Sequence, residues 1–354
     1  LVQITDATGK ITKYIYDDAG RRTATTYAFG TADARVWTFE YWPMGQLKKV
    51  TKPNSVVIDH TYENRELLAS RTYTQGQNNL GTDNFTYHPN RLLATAHGGL
   101  HGTDVKRDAA NLADYDAANR LLAERQNIGA GDKTVGYSYT ADSLADTITY
   151  PGGTAVQQTY TSRRQLDQVK IGGVVQASHV YDTASRLTDR TYANGTGSHW
   201  DYDANSRVTG LAHIPPGGGA AFQQWSYAYT DEGDPLAQND TTSGNPNVHG
   251  EAYSYDGMHR LATWKRGIVD PQTNDVANPT IQQGWTLDQV GNWTTWNNNG
   301  VNETRQHSNL HSLTQRSTLA NALVYDANGS QTFDGQTLGF IYDANDQLAE
   351  AFLD

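Results

Sequence analysis

Between Tyr181 and Val208 the chain states one phrase twice. It reads Tyr-Asp, three small or polar residues, Arg, then Leu or Val, and the two tyrosines stand 21 residues apart. A repeat this short constrains the fold before any local propensity does, because one unit cannot bury an apolar face alone and must stack on its neighbours. Aligned on the tyrosine, the phrase recurs at Tyr16, Tyr41, Tyr62, Tyr87, Tyr115, Tyr139, Tyr160, Tyr181, Tyr202, Tyr229 and Tyr255. It degenerates with Leu287 and His307 in the tyrosine position and returns at Tyr325 and Tyr342.

Seven positions keep the literal pair: Tyr16-Asp17, Tyr115-Asp116, Tyr181-Asp182, Tyr202-Asp203, Tyr255-Asp256, Tyr325-Asp326 and Tyr342-Asp343. Five of them carry arginine five positions after the tyrosine, at Arg21, Arg120, Arg186, Arg207 and Arg260. Each unit has a physical reading. An alternating run such as Gln176 to Tyr181 is a strand, and Asp182 opens a tight turn by accepting backbone N–H groups two residues on. Asn, Gly or Ser near the end of the turn tolerates the positive φ of a short hairpin loop. Tyr and the following Leu then pair across the hairpin on its buried face, while Arg reaches back toward Asp and faces water.

The opposite strand ends have turns of their own, such as Gly172-Gly173 and Asn194-Gly195-Thr196. From Leu144 to Val208 there is no room for a helix, and the predicted class is all-β, a long antiparallel meander of hairpins. Longer surface loops are expected at Thr31–Asp33, Gly98–Asp108 and Ile268–Pro279, and one helical turn near Asp104–Asp114. No Pro/Ser/Gly linker divides the chain, so residues 1–354 read as one continuous repeat segment. The opening residues read as mid-repeat, which predicts a piece of something longer. A meander of this length twists and must coil, close or be covered by neighbouring copies.

Composition narrows the function classes. With 21 Tyr and 8 Trp against 7 Phe, much of the apolar surface sits on rings with a polar tip, which suits half-buried sheet faces. A net charge of -11 disfavours a nucleic-acid-binding face. Cysteine is absent, excluding disulfides and thiolate metal sites. No stretch approaches the roughly 18 apolar residues of a transmembrane segment.

The phrase Tyr-Asp-x-x-x-Arg-Leu, sharpest at 115–122, 181–187, 202–208 and 255–261, resembles the YD repeats of the RHS family. The run 325–351 is similar to the closing repeats of an RHS shell. The family includes bacterial RHS toxins, the C component of Tc toxins and the teneurins. The resemblance implies a β-sheet that spirals into a hollow shell, or an open segment of one. It implies an exported, extracellular or cell-surface protein whose partners are an enclosed polypeptide, such as a toxin, or neighbouring copies of itself. The Asp-Pro-x-Gly pattern of the family's self-cleaving core is missing: Asp234-Pro235 and Asp270-Pro271 lack the glycine.

Candidate sites are few, and the expectation is a non-enzymatic protein with no cofactor and no metal. The Tyr-Asp-Arg sets sit where a hairpin needs them and read as structure. Asp326 to Gly329 and Asp343 to Asp346 resemble half a calcium loop without its full spacing. His97 with His101 and His307 with His311 have a metal-pair spacing, yet glycines 98 and 99 disfavour a helix at the first and neither has the accompanying Glu. Trp285, Trp293 and Trp296 are the candidate carbohydrate platform. Trp293 and Trp296 face opposite sides of a regular strand, so one is expected outward.

Overall fold

The computed structural model describes residues 2–99, 102–106, 114–127, 131–242 and 250–353. Every regular element among the described residues is a β-strand. The strands form a 27-stranded sheet and a four-stranded sheet. Strands adjacent in sequence pair antiparallel, as Val174–Tyr181 does with Leu187–Tyr192 and then Leu187–Tyr192 with Gly197–Tyr202. The four-stranded sheet runs Val324–Tyr325, Gln331–Phe333, Leu338–Tyr342, Leu348–Leu353. This is the all-β antiparallel meander that the repeats predict.

The hairpin corner has one geometry throughout. Tyr181 is the register partner of Leu187, and the register shifts between Val180 and Tyr181. The same shift precedes Tyr16, Tyr41, Tyr62, Tyr87, Tyr202 and Tyr255. Inside the turn, Gly20 N–H donates to the Asp17 carbonyl and Asp17 N–H to the Arg21 carbonyl, both at 2.9 Å. That is a type I turn closed by a residue in the left-handed region, the bulged hairpin loop.

The left-handed residue always stands four after the tyrosine position. It is Gly20, Gly45, Glu66, Arg91, Asn119, Ser143, Arg164, Ser185, Ser206, Gly233, His259, Gly291, His311, Gly329 and Asp346, all with positive φ. Leu287 and His307, the degenerate anchors, therefore make the same corner. At Ser185 φ is 67°, a conformation that costs a non-glycine residue about 1–2 kcal/mol, partly offset by the entropy glycine loses on folding. Ser185→Gly is thus expected to raise stability by about 0.5–1 kcal/mol in denaturant melts. A loss would show that the serine conformation is not strained.

The chain folds as two compact units: Leu1–Thr134 with Leu287–Thr295 and Glu303–Asp354, and Val135–Thr286 with Trp296–Asn302. In the second unit, Val269 and Val276 pack with Ala237, Ala252 and Ala228. The expected surface loop at Ile268–Pro279 is present and mostly exposed, and these two valines anchor it to the sheet. Val276 is fully buried and Asp270 bridges Asp275. The packing needs glycine beneath it. A Cβ at Gly250 would lie 2.4 Å from Val269 Cγ2, and one at Gly267 would lie 2.7 Å from Val276 Cγ1.

In the first unit the expected loop at Gly98–Asp108 contains a strand, Thr103–Lys106, paired with both Leu93–Gly98 and Ala123–Asn127. Residues 100, 101, 107 and 108 of that stretch and most of the expected helical turn lie outside the described residues. The first unit's core is a small cluster of Val56, Tyr73 and Ala344, with Ile58 against it. Most strand residues elsewhere are half-buried.

Candidate functional site

Each Tyr-Asp corner is a three-way junction. Asp182 Oδ1 accepts the Arg186 backbone N–H at 2.9 Å and Oδ2 accepts Arg186 Nε–H at 2.7 Å. The pairs Asp17–Arg21, Asp116–Arg120, Asp203–Arg207 and Asp256–Arg260 repeat the side-chain bond at 2.6–2.7 Å. These bonds hold the carboxyls below the usual range. For Asp17, Asp116, Asp182 and Asp203 the arginine backbone N–H is the largest cause. Asp256, held chiefly by the Arg260 side chain, falls to about 2.

The arginine does more than face water, which corrects the expectation. Arg186 Nη1 donates to the Asp203 carbonyl at 2.9 Å, Arg207 Nη1 to the Thr230 carbonyl at 2.9 Å, and Arg21 Nη1 to the Trp42 carbonyl at 3.0 Å. Each guanidinium also lies over the next tyrosine ring: Arg186 over Tyr202, Arg207 over Tyr229 and Arg21 over Tyr41, at 4.7, 4.8 and 5.1 Å. One arginine thus closes its own turn and clamps the next.

The tyrosine hydroxyl ties back to the preceding repeat. Tyr202 Oη donates to the Leu187 carbonyl at 2.7 Å and Tyr181 Oη to the Leu166 carbonyl at 2.9 Å. The same bond joins Tyr41 to Arg22, Tyr62 to Leu47, Tyr87 to Leu68, Tyr115 to Leu93, Tyr160 to Ala145, Tyr229 to Val208, Tyr255 to Pro235 and Tyr325 to Leu313. Every acceptor stands six residues after the preceding tyrosine position. The phenols cap strand-end carbonyls that the ladder leaves over.

Two tests follow from this geometry. Tyr202→Phe keeps the ring and removes one bond, so it should cost about 1 kcal/mol in denaturant melts; no loss would mean that water replaces the phenol. Acid should also weaken the corners. The depressed carboxyls contribute fully above the unfolded aspartate value of about 4. The contribution is lost as pH falls through the folded values, near 2 for Asp256. Thermal melts across an acid titration should drop in that window, and a flat profile there would remove the corners from the pH response.

Within the first unit, repeats almost 300 residues apart meet in a seam. Lys52, 6 % exposed, donates from Nζ to the Ala344 carbonyl at 2.7 Å and to Asp346 Oδ2 at 2.6 Å. Ala344 packs on Val56 and Tyr73. Tyr73 is fully buried and donates to Asp83 Oδ2 at 2.8 Å, and the Asn345 side chain also hydrogen-bonds it. Burial first, and Asp83 second, push the Tyr73 phenol up to about 12.

The seam continues along neighbouring turns. Asn54 N–H donates to Asn328 Oδ1 at 3.0 Å, and Asn328 Nδ2 to Asp346 Oδ1 at 2.8 Å. Asn309 donates from its backbone and side-chain nitrogens to Asp33 Oδ2 at 3.0 and 2.9 Å. Lys10 Nζ donates to the Ser308 carbonyl at 3.0 Å, and His311 Nε2 pairs with Asp6 at 2.7 Å. Apart from the Asn328–Asp346 bond between two late turns, each contact sets a turn after a late tyrosine position on an opposite-end turn of an early repeat. The Asp326 and Asp343 carboxylates are engaged by their own turns, Asp326 Oδ1 accepting three backbone N–H groups and Asp343 Oδ1 two, while Asp346 is held by Lys52 and Asn328.

Trp293 falls in the first unit, and Trp285 and Trp296 in the second. The Trp293 ring, 39 % exposed, is covered by the Arg305 guanidinium at 4.7 Å. His311 binds Asp6 and Asn292 rather than His307. His97 pairs with Asp104, and His101 lies outside the described residues. No cluster of three or more metal-ligating side chains occurs among the described residues. Among the described residues no helix is long and apolar enough to cross a membrane.

Residues 1–32 match the family model described as RHS Repeat. A search of curated proteins finds no match. Among solved structures, the chain is similar to one from the Photorhabdus luminescens Tc holotoxin pore, with a TM-score of 0.75 and 15 % identity over 99 % of this chain and 21 % of that one. It is similar to a chain of the TcdB2-TccC3-TEV crystal structure, with a TM-score of 0.74 and 15 % identity over the same shares. For TcdB2-TccC3 without the hypervariable C-terminal region the TM-score is 0.70 at 14 % identity, over 96 % of this chain and 22 % of that one. At these identities the likeness is one of fold. This chain spans about a fifth of the length of the solved chains it matches.

Proposed function

We propose that the chain is an RHS/YD-repeat protein that serves as a non-catalytic stretch of wall in an exported shell. The observation that carries this reading is the corner ladder. Aspartate, arginine and tyrosine, the residues most able to do chemistry, are consumed repeat after repeat in holding one strand pair to the next. The likeness to the Tc chains over nearly the whole length supports it. On this reading residues 1–354 are one continuous segment of that wall, which encloses a polypeptide or joins other copies of itself. Its action is steric, and it needs no cofactor.

Electron microscopy of the purified chain tests the proposal. Curved walls one sheet thick are expected, and a compact solid particle would overturn the reading. A sugar-binding use of Trp293 is disfavoured, because the Arg305 guanidinium lies over its ring.

A further inference from the structure

Within the seam, side chains from three repeats of the first unit meet on one carboxylate. Asp346 Oδ2 accepts Lys52 Nζ–H at 2.6 Å, and Asp346 Oδ1 accepts Asn328 Nδ2–H at 2.8 Å. The Lys52 side chain is only 5 % exposed, and its Nζ lies over the Trp37 ring at 5.6 Å. Asn328 Oδ1, the other end of the amide, accepts the Asn54 backbone N–H at 3.0 Å. A buried amine therefore shares a base with an amide whose carbonyl is polarised by a fixed donor. Those are the parts of an acyl transfer: nucleophile, base, electrophile and oxyanion donor.

We propose that the folded chain joins Lys52 to Asn328 by an isopeptide bond, made once on itself. Asp346 takes a proton from the Lys52 ammonium and frees the lone pair on Nζ. Nζ attacks Asn328 Cγ, and the carbonyl pair moves onto Oδ1, where the Asn54 N–H stabilises the charge. Asp346 passes its proton to Nδ2, the Cγ–Nδ2 bond breaks and ammonia leaves. Nζ then sheds its second proton, so lysine ammonium and asparagine amide become one secondary amide and one ammonium ion. No oxidant, reductant or cofactor enters the balance. Holding both partners on one carboxylate supplies the proximity that such a step needs. The rival nucleophile of an Asn-Gly pair, the Gly329 nitrogen, is engaged, since its N–H donates to Asp326 Oδ1 at 2.8 Å. An open recess of about 530 Å³, lined by Lys52, Arg35, Tyr325 and Asp326, gives ammonia a way out. The bond pins an early repeat to a late one whether the wall encloses a polypeptide or joins other copies.

Intact-mass spectrometry of the purified, folded and then denatured chain tests the bond. The wild-type mass should lie about 17 Da below that of the sequence, the loss of one ammonia. A protease digest should place Lys52 and Asn328 in one branched peptide. Lys52→Arg and Asp346→Ala should each restore the full sequence mass. A wild-type chain at the full sequence mass would overturn the proposal, and that measurement does not depend on whether a variant folds. So would an ammonia loss that maps to Asn328 without Lys52, since that is ring closure onto the Gly329 nitrogen. Loss of water with Lys52 linked to Asp346, or a bond that persists in Asp346→Ala, would overturn the assigned roles.

Discussion

Glu303→Gln should lower the stability of the first unit by about 3–5 kcal/mol, the loss expected when one partner of a buried ion cluster is removed. Glu303 is 1 % exposed. Its Oε2 accepts Arg316 Nε and Nη2 at 3.0 and 2.8 Å, Oε1 accepts Arg305 Nε at 2.7 Å, and the Thr318 hydroxyl also donates to it. Arg305 and Arg316 are register partners on adjacent strands, where like charges repel. The carboxylate between them removes the repulsion, and the Arg316 side chain is the largest cause holding it near pKa 2. Glutamine keeps the shape and loses the charge. Denaturant melts at neutral pH check the prediction; a loss below about 1 kcal/mol would mean that the arginines find water as readily as an exposed pair does.

Tyr73→Ala should be as damaging, at about 3–5 kcal/mol, because it removes a fully buried ring and leaves a cavity. The ring is the floor on which Ala344 rests, and its hydroxyl is one of three donors to the Asp83 carboxylate, with Arg71 Nη2 at 2.8 Å and Gly99 N–H at 3.1 Å. Tyr73→Phe keeps the floor and loses about 1–2 kcal/mol through the buried acceptor. Hydrogen exchange separates these effects. The amides of Asn345 and Gln347 should exchange faster in Tyr73→Ala and nearly as before in Tyr73→Phe. Unchanged exchange in Tyr73→Ala would show that the last Tyr-Asp turn is held from elsewhere.

The corner was legible because nearly all of its energetics is local. Asp, Arg and the left-handed residue lie within five positions of one tyrosine, so their spacing recurs and can be read. The degenerate anchors Leu287 and His307 were found by spacing alone, and both carry the same positive φ four residues on. What arginine and tyrosine do between repeats was missed, although the acceptor six residues after the preceding tyrosine is periodic and could have been sought. Val269 and Val276 were hidden in a stretch that reads as polar loop, since nothing in 268–279 tells that two glycines lie beneath it.

Lys52, Tyr73, Asp83 and Glu303 left no signal, because each occurs once and outside the phrase. Lys52 reads as an ordinary strand-end turn residue until Asp346 is placed beside it. The contrast is plainest in one tripeptide. Asp-Ala-Asn occurs at 203–205, 326–328 and 343–345, and all three copies make the same corner. Ala204 and Asn205 are exposed, whereas Ala344 is buried. The amino-acid sequence by itself determined the corner, since turn conformation and its capping bonds are settled within a few residues. Only the tertiary structure decided which corner is covered, because burial depends on what lies opposite, and for Ala344 that is Val56 and Tyr73, more than 250 residues upstream.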